Sequence, residues 1–364
     1  MNHISGALCG FKEVSDSTSL RSFGFLNIGF FVQFLFPLFV FLIGHNVFSK
    51  EWENGTIKIL LSSKAGARQI FLGKLYACLS LVLAVAGMVG ITMLVMIVTV
   101  QGGITPHLLA SWGIYMVVLL AFALLLTVTA VTVSLLTRSS AFSLVLLSAF
   151  WLLGVFLIPR LSGEISKHLY PSMTSLEFEV TTFNEKQYGV GNEGHKDYRR
   201  ELLKDSILNR YKVARLEDLP VYFIPITIEY FEDSDGLVMD RAYRKIEVND
   251  ARQNRFVRAG SVFSPFLAFR DFSMKICGAD MNVHRHFAEN AEVHRRKIGV
   301  IVDDFYQKNT VAGNDFWRTV PQFEYRIPDY RWRLSHAGAP LLILGGWLAL
   351  ALGVMVYSYR RIKV

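Results

Sequence analysis

Five long apolar runs constrain this chain more than any other feature. They are Asn27–Val47, Leu75–Val100, Leu109–Leu136, Ala141–Pro159 and Ala337–Tyr357. A helix of about 20 apolar residues crosses the hydrocarbon core of a bilayer. No Asp, Glu, Lys or Arg interrupts any of the five, and His45 is the single histidine among them. In lipid every backbone polar group must be satisfied within the segment, so runs of this length fold as helices. The chain is expected to be an all-α integral membrane protein with about five transmembrane helices. The second and third runs are longer than a crossing requires and are expected to tilt or to extend past the lipid.

Charge orients the spans. The chain carries a formal charge of +8. The stretch Leu161–Ser335 holds 26 basic and 26 acidic residues and is neutral. The excess therefore lies outside it, around Lys50–Lys74, at Arg138 and in the tail Tyr359–Val364. Alternating spans put all three of these segments on one side, which the excess of Lys and Arg marks as cytoplasmic. The basic excess is thus a mark of topology and not a nucleic-acid surface. On this reading 1–26 is an extracytoplasmic segment and 27–160 a transmembrane domain. Residues 161–335 form an extracytoplasmic domain, and 336–364 hold the last span and a basic cytoplasmic tail. Met1–Gly24 has neither the apolar core nor the basic lead of a secretory signal. An outside N-terminus then needs either an unaided first span or an earlier span preceding this sequence, and the second is the expectation.

The domain 161–335 reads as mainly helical. His284, Phe287, Ala291, His294, Ile298, Ile301 and Phe305 step by three and four along one amphipathic face. Asp235–Arg258, Tyr198–Val213 and Phe266–Cys277 are further helix candidates. Val221–Tyr230 reads locally as a strand, although Pro225 weakens it. His284 and His294 share a face but lie ten residues apart, ~15 Å along a helix, too far to ligate one ion. His284 and His286 point to different faces. No metal site is expected. Cys9, Cys78 and Cys277 show no spacing of a disulfide framework or a zinc site.

Recognisable enzyme chemistry is missing from the pattern. Gly66 and Gly73-Lys74 have the wrong spacing for a phosphate-binding loop, and Leu75 stands where Ser or Thr is needed. Neither HExxH nor GxSxG occurs. No residue is assigned as catalytic or cofactor-binding. Without charges in the spans, ion-coupled transport is disfavoured. Energy for transport would have to come from another subunit.

The segment between the first two spans, EWENGTIKILLSSKAGARQIFLGK, carries the most specific pattern. Glu51 and Glu53 suit a helix start. Ile57, Leu60 and Leu61 offer an apolar face to a partner groove. Gly55 permits close approach or a bend. Arg68 and Lys74, with Arg138, Arg360 and Arg361, can anchor at head-group level. A passive interfacial helix is the alternative reading of the same residues.

Glu51-x-x-x-Gly55-Thr56, then Leu60-Leu61-Ser62, Arg68 and Gly73-Lys74, resembles the E-x-x-x-G-T…L-L-S…R…G-K signature of type-2 ABC transporter permeases. Ser264–Phe287 and Phe323–Trp332 resemble a subgroup with a large extracytoplasmic insertion before the final helix. That subgroup is labelled the permease component of a system for multi-copper enzyme maturation. The resemblance implies a coupling helix at 51–68, with Glu51, Glu53, Gly55, Thr56, Ile57, Leu60, Leu61 and Arg68 facing a separate ABC ATPase. ATP and Mg would sit on that partner, and this chain would hold no cofactor. It also implies a second permease subunit, identical or related, export as the direction, and the bacterial inner membrane as the location. Two features depart from the family. It usually has six spans, and a proline is common where this chain has Lys64. No Cys- or Met-rich ligand cluster supports copper as the cargo. The rival reading is a non-transporting membrane protein whose outer helical domain senses or assembles. A membrane enzyme using outer carboxylates or histidines is a third.

Overall fold

The computed structural model describes residues 28–62, 66–101, 103–309 and 311–362. Segment 1–26, Cys9 and Lys64 lie outside the described residues. Among those described, every regular element is helical. Helix α1 spans 28–44, followed by the short helices α2 (Ser49–Glu53) and α3 (Ile57–Leu61). Three long helices come next: α4 (Ala67–Gln101), α5 (Pro106–Leu136) and α6 (140–169). Then follow α7 (Ser175–Tyr188), α8 (Lys196–Tyr211), α9 (Phe223–Gly260), α10 (Pro265–Ile276) and α11 (Met281–Tyr306). The last three are α12 (Asn314–Thr319), α13 (Tyr330–Ser335) and α14 (Gly338–Ile362).

Five helical stretches are long and apolar enough to cross a membrane: Ile28–Glu53, Arg68–Val100, Pro106–Leu136, Ser140–Leu169 and Gly338–Arg360. They cover the five runs expected from hydropathy apart from Ala337 and from Asn27, which lies outside the described residues. The strand reading of Val221–Tyr230 is overturned, because α9 begins at Phe223 and continues through it. Pro225 falls in the first turn of α9, where a missing N–H costs no intrahelical bond. Asp235–Arg258, expected as a separate helix, is the continuation of α9.

The chain separates into two compact units. One comprises Ser166–Asn254 and Met281–Ile327; the other comprises the spans up to Ile165, Arg255–Asp280, and the chain from Pro328 onward. Residues 161–335, read from sequence as one domain, are therefore shared between the two. The first unit is a helical lobe built from α7, α8, most of α9, α11 and α12. Arg199 is buried in it, donating to Ser234 Oγ and to the carbonyl of Lys186 at 2.9 Å each. Its guanidinium lies over the Phe231 ring. Arg296 bridges Asp240 at 2.6 Å and Glu292 at 2.8 Å. The histidines of α11 meet aromatic rings: His286 Nδ1 lies 3.2 Å from Tyr325 Oη, and His294 packs on Phe323.

In the second unit α5 is the central helix. More than half of its apolar window is buried, against a third or less for the other spans. Helix α10 packs among the spans rather than beside them. Its Phe269 stacks on Phe122 of α5 with ring centroids 4.3 Å apart, and Phe266 meets Phe41 and Phe150 edge-on or tilted. Phe122 lies near the middle of α5, so α10 reaches well into the span layer. Ser264 starts it. Its Oγ accepts the N–H of Leu267 as an N-cap and donates to the carbonyl of Gly154 at 2.7 Å.

Two spans contain a π-helical turn, Phe31–Leu35 in α1 and Leu153–Leu157 in α6. Each ends two residues before a proline, Pro37 and Pro159. A proline ring removes an N–H and crowds the carbonyl four residues back, which widens the helix locally. Donors from other helices reach carbonyls in both turns. Trp151 Nε1 bonds Phe34 O at 3.1 Å, and Ser264 Oγ bonds Gly154 O. With its backbone satisfied, α6 continues beyond Pro159, where the apolar run stops, to Leu169.

Candidate functional site

The segment joining α1 to α4 is a helix–turn–helix and not the single helix expected over 51–68. Asn54 and Gly55 separate α2 from α3. Gly55 has φ +73°, a left-handed conformation that favours glycine, and a Cβ there would meet nothing within 4 Å. Its role is therefore to turn the chain rather than to allow a close approach.

The segment is fastened to three membrane helices. The N–H groups of Phe48 and Ser49 both donate to Ser134 Oγ of α5, at 2.9 and 3.0 Å. These donors belong to the start of α2, which has no intrahelical acceptor for them. Lys74 of α4 donates to Glu51 Oε1 at 3.0 Å and to the carbonyl of Val47 at 2.8 Å. Its ammonium also lies over the Phe48 ring, 5.0 Å from the centroid. Thr56 Oγ1 donates to the other Glu51 oxygen. Glu53 Oε2 accepts the N–H of Ser140 at 3.1 Å, placing a carboxylate at the N-terminus of α6. Glu53 itself closes α2 rather than starting it.

Ile57 is buried in a cluster with Phe48, Phe71, Leu75, Cys78, Val131 and Leu135. Phe48 stacks on Phe71, and Phe71 meets Tyr359 of α14 at 5.3 Å. Ile57 therefore faces its own chain. Leu60 is half-buried, and the side chain of Leu61 lies outside the described residues. Among the described side chains of α3, Ile59 is instead the open apolar residue, 72 % exposed. The motif did not single it out, and a five-residue helix carries too little periodicity to do so. Lys50, Lys58, Arg68, Arg138 and Arg360 are exposed around this end of the unit, and the side chain of Arg361 lies outside the described residues.

The arrangement can transmit force. Helix α2 is tied to α4 through Lys74, to α5 through Ser134 and to α6 through Glu53, and Thr56, just before α3, is tied back to Glu51. Glu51 is paired with Lys74 and Glu53 accepts the N–H of Ser140, and exposed lysines and arginines surround one exposed isoleucine.

These features define a multi-pass helical membrane protein with a braced segment between its first two described spans. A profile of the ABC-2 family transporter protein matches residues 4–188, half of the chain, and residues 178–326 match a domain of unknown function, DUF3526. The chain belongs to the ABC-2 transporter family and is a membrane permease, a class that works with an ATPase partner. No curated protein and no solved structure matches it.

Proposed function

We propose that this permease is driven by a separate ATPase subunit that docks on the segment 50–74. The observation that carries this reading is the triple fastening of that segment to α4, α5 and α6 by Lys74, Ser134 and Glu53. A passive interfacial helix needs only an apolar face toward lipid. Here α3 turns Ile57 inward and presents Ile59 with the exposed Lys58 beside it. The docking set is Ile59, Leu60 and Arg68, while Glu51, Glu53, Gly55, Thr56 and Ile57 hold the segment in shape. Arg138 and Arg360 flank it.

ATP and Mg belong to the ATPase. Closure of an ATPase pair would tilt α3 and shift the path between two permease subunits. Export is the direction, as the resemblance to an exporter-dominated family supports. The charge pattern supports a cytoplasmic basic tail on the ATPase side and an extracytoplasmic segment 161–335. The inner membrane of a bacterium is the location.

Affinity capture of the tagged full-length chain from detergent, with mass spectrometry and an ATP hydrolysis assay, tests the reading. A stoichiometric ATPase whose turnover rises on addition of the permease is expected. A well-folded chain recovered alone from its native host would overturn it.

A further inference from the structure

The two π turns share a groove. It is a shallow groove lined by Gln33 and Phe34 of α1, by Gly154, Val155 and Pro159 of α6, and by Phe266, Leu267 and Arg270 of α10. Both widened turns face the same space, one on each side. Widened turns of this kind concentrate at functional sites. Phe30 stacks on Phe34, Phe34 meets Phe156, and Phe156 meets Trp151, which gives one wall an aromatic surface.

Arg270 is the one charged residue of this lining. It is exposed and makes no hydrogen bond or ion pair among the described residues. The neighbouring charges are arranged differently. Asp271 and Lys275 are paired with each other at 2.5 Å, and Lys275 is buried. Arg270 therefore keeps its full donor set available beside an apolar groove. A guanidinium so placed recovers most by a bidentate bond to an anionic oxygen pair such as a phosphate.

Depth narrows the ligand further. Ser140, which receives Glu53, marks one membrane boundary of α6. Pro159 lies 19 residues farther along, roughly 28 Å at 1.5 Å per residue. That is close to one hydrocarbon thickness of about 30 Å. Gly154 lies 14 residues from Ser140, roughly 21 Å, so the groove runs from within the span layer at Gly154 up to the opposite boundary at Pro159, where head groups meet acyl chains. Above it a cation finds phosphate; below it Leu35 of α1 and Leu152 and Leu153 of α6 expose apolar surface.

We propose that this groove binds the head group of an anionic phospholipid, with Arg270 on the phosphate, Gln33 beside it and an acyl chain running inward from Phe34 and Phe156 along Leu35 and Leu153. The site uses charge from α10 and shape from the two π turns. A zwitterionic lipid is a poorer ligand, because its own ammonium competes with Arg270 for the phosphate.

Native mass spectrometry of the full-length chain released from nanodiscs tests this. The nanodiscs contain phosphatidylcholine with a minor fraction of phosphatidylglycerol. The wild type is expected to retain phosphatidylglycerol in preference. Arg270→Gln should lose at least about fivefold of that retention, and Arg270→Lys should keep part of it. Arg160→Gln, an exposed cation on the same helix as Pro159 but outside the lining, should retain it fully. Equal retention by wild type and Arg270→Gln overturns the proposal. Equal loss in Arg160→Gln does so too, since it shows diffuse surface charge. An Arg270→Gln variant that separates into monomers while keeping its lipid assigns the groove to a second copy instead. No ATPase enters this assay, so its failure is distinct from failure of the coupling assignment.

Discussion

Lys74 Nζ lies 3.0 Å from Glu51 Oε1 and 2.8 Å from the carbonyl of Val47, so one ammonium closes the segment between the first two spans. About a quarter of each side chain is exposed, 25 % for Lys74 and 29 % for Glu51. The pair is sheltered enough to exceed a surface ion pair and wet enough to avoid a large desolvation cost. Lys74→Met is expected to destabilise the protein by about 1–2 kcal/mol, since it leaves Glu51 and the Val47 carbonyl short of a donor. Thermal unfolding in detergent should show a fall of about 1–3 °C. Glu51→Gln, which still bonds Thr56, should fall less. An unchanged midpoint in Lys74→Met would remove the brace from the account.

Ser264 and Gly154 form a second joint, between α10 and α6. Ser264→Ala loses both the N-cap and the bond to Gly154 O and is expected to cost about 1–3 kcal/mol. A Cβ on Gly154 would lie 2.5 Å from a ring carbon of Phe266 and 3.3 Å from Ser264 Oγ. Gly154→Ala should therefore cost a further ~1–3 kcal/mol by overpacking. Because the two sites touch, the double variant should cost less than the sum. Strict additivity in a denaturation cycle would contradict the contact.

Asp303 should make the lobe sensitive to pH. Burial comes first and the negative field of Glu232, Glu229, Asp304 and Asp233 second in pushing its carboxyl from 3.8 to about 6. The folded state thus prefers the protonated acid. Stability from this group is full below about pH 4 and is lost as pH rises through about 6. Asp303→Asn should remove that loss, raising stability above pH 6 by on the order of 1 kcal/mol after solvent screening. Paired unfolding curves of wild type and variant at pH 4 and pH 7.5 check it. A gain of equal size at both values would exclude titration as the cause.

The spans were legible because a run of about 20 apolar residues needs no periodicity to be recognised. Helix α10 was legible as a helix but not as part of the span layer. Arg270, Asp271 and Lys275 give its sequence a soluble look. Only the fold shows that Asp271 and Lys275 neutralise each other while Phe266, Phe269 and Phe272 fill the core. The π turns had a signal that apolar counting passes over. Phe34-Leu35-Phe36-Pro37 and Phe156-Leu157-Ile158-Pro159 repeat one pattern, and a proline in a span widens the helix there without ending it.

The site was legible as a motif and not as a geometry. Glu51 and Gly55 stood out by type and spacing. Nothing in the sequence pairs Glu51 with Lys74 across 23 positions, or Glu53 with Ser140 across 87. Ile57 and Ile59 look alike in a five-residue helix, and the long-range cluster around Phe48 and Phe71 decides which is buried. The strand reading of Val221–Tyr230 failed because local alternation cannot register that Pro225 opens a 38-residue helix.

The central claim is that α3 receives the ATPase through Ile59, and one comparison tests it most directly. Ile59→Asp and wild type are captured from detergent together with the ATPase, and permease-stimulated ATP hydrolysis is measured alongside the permease's own thermal midpoint. The account predicts an unchanged midpoint, because Ile59 is 72 % exposed, with ATPase retention and stimulation reduced at least about tenfold. An Ile59→Asp permease that keeps its midpoint and still binds and stimulates the ATPase as wild type does would contradict it.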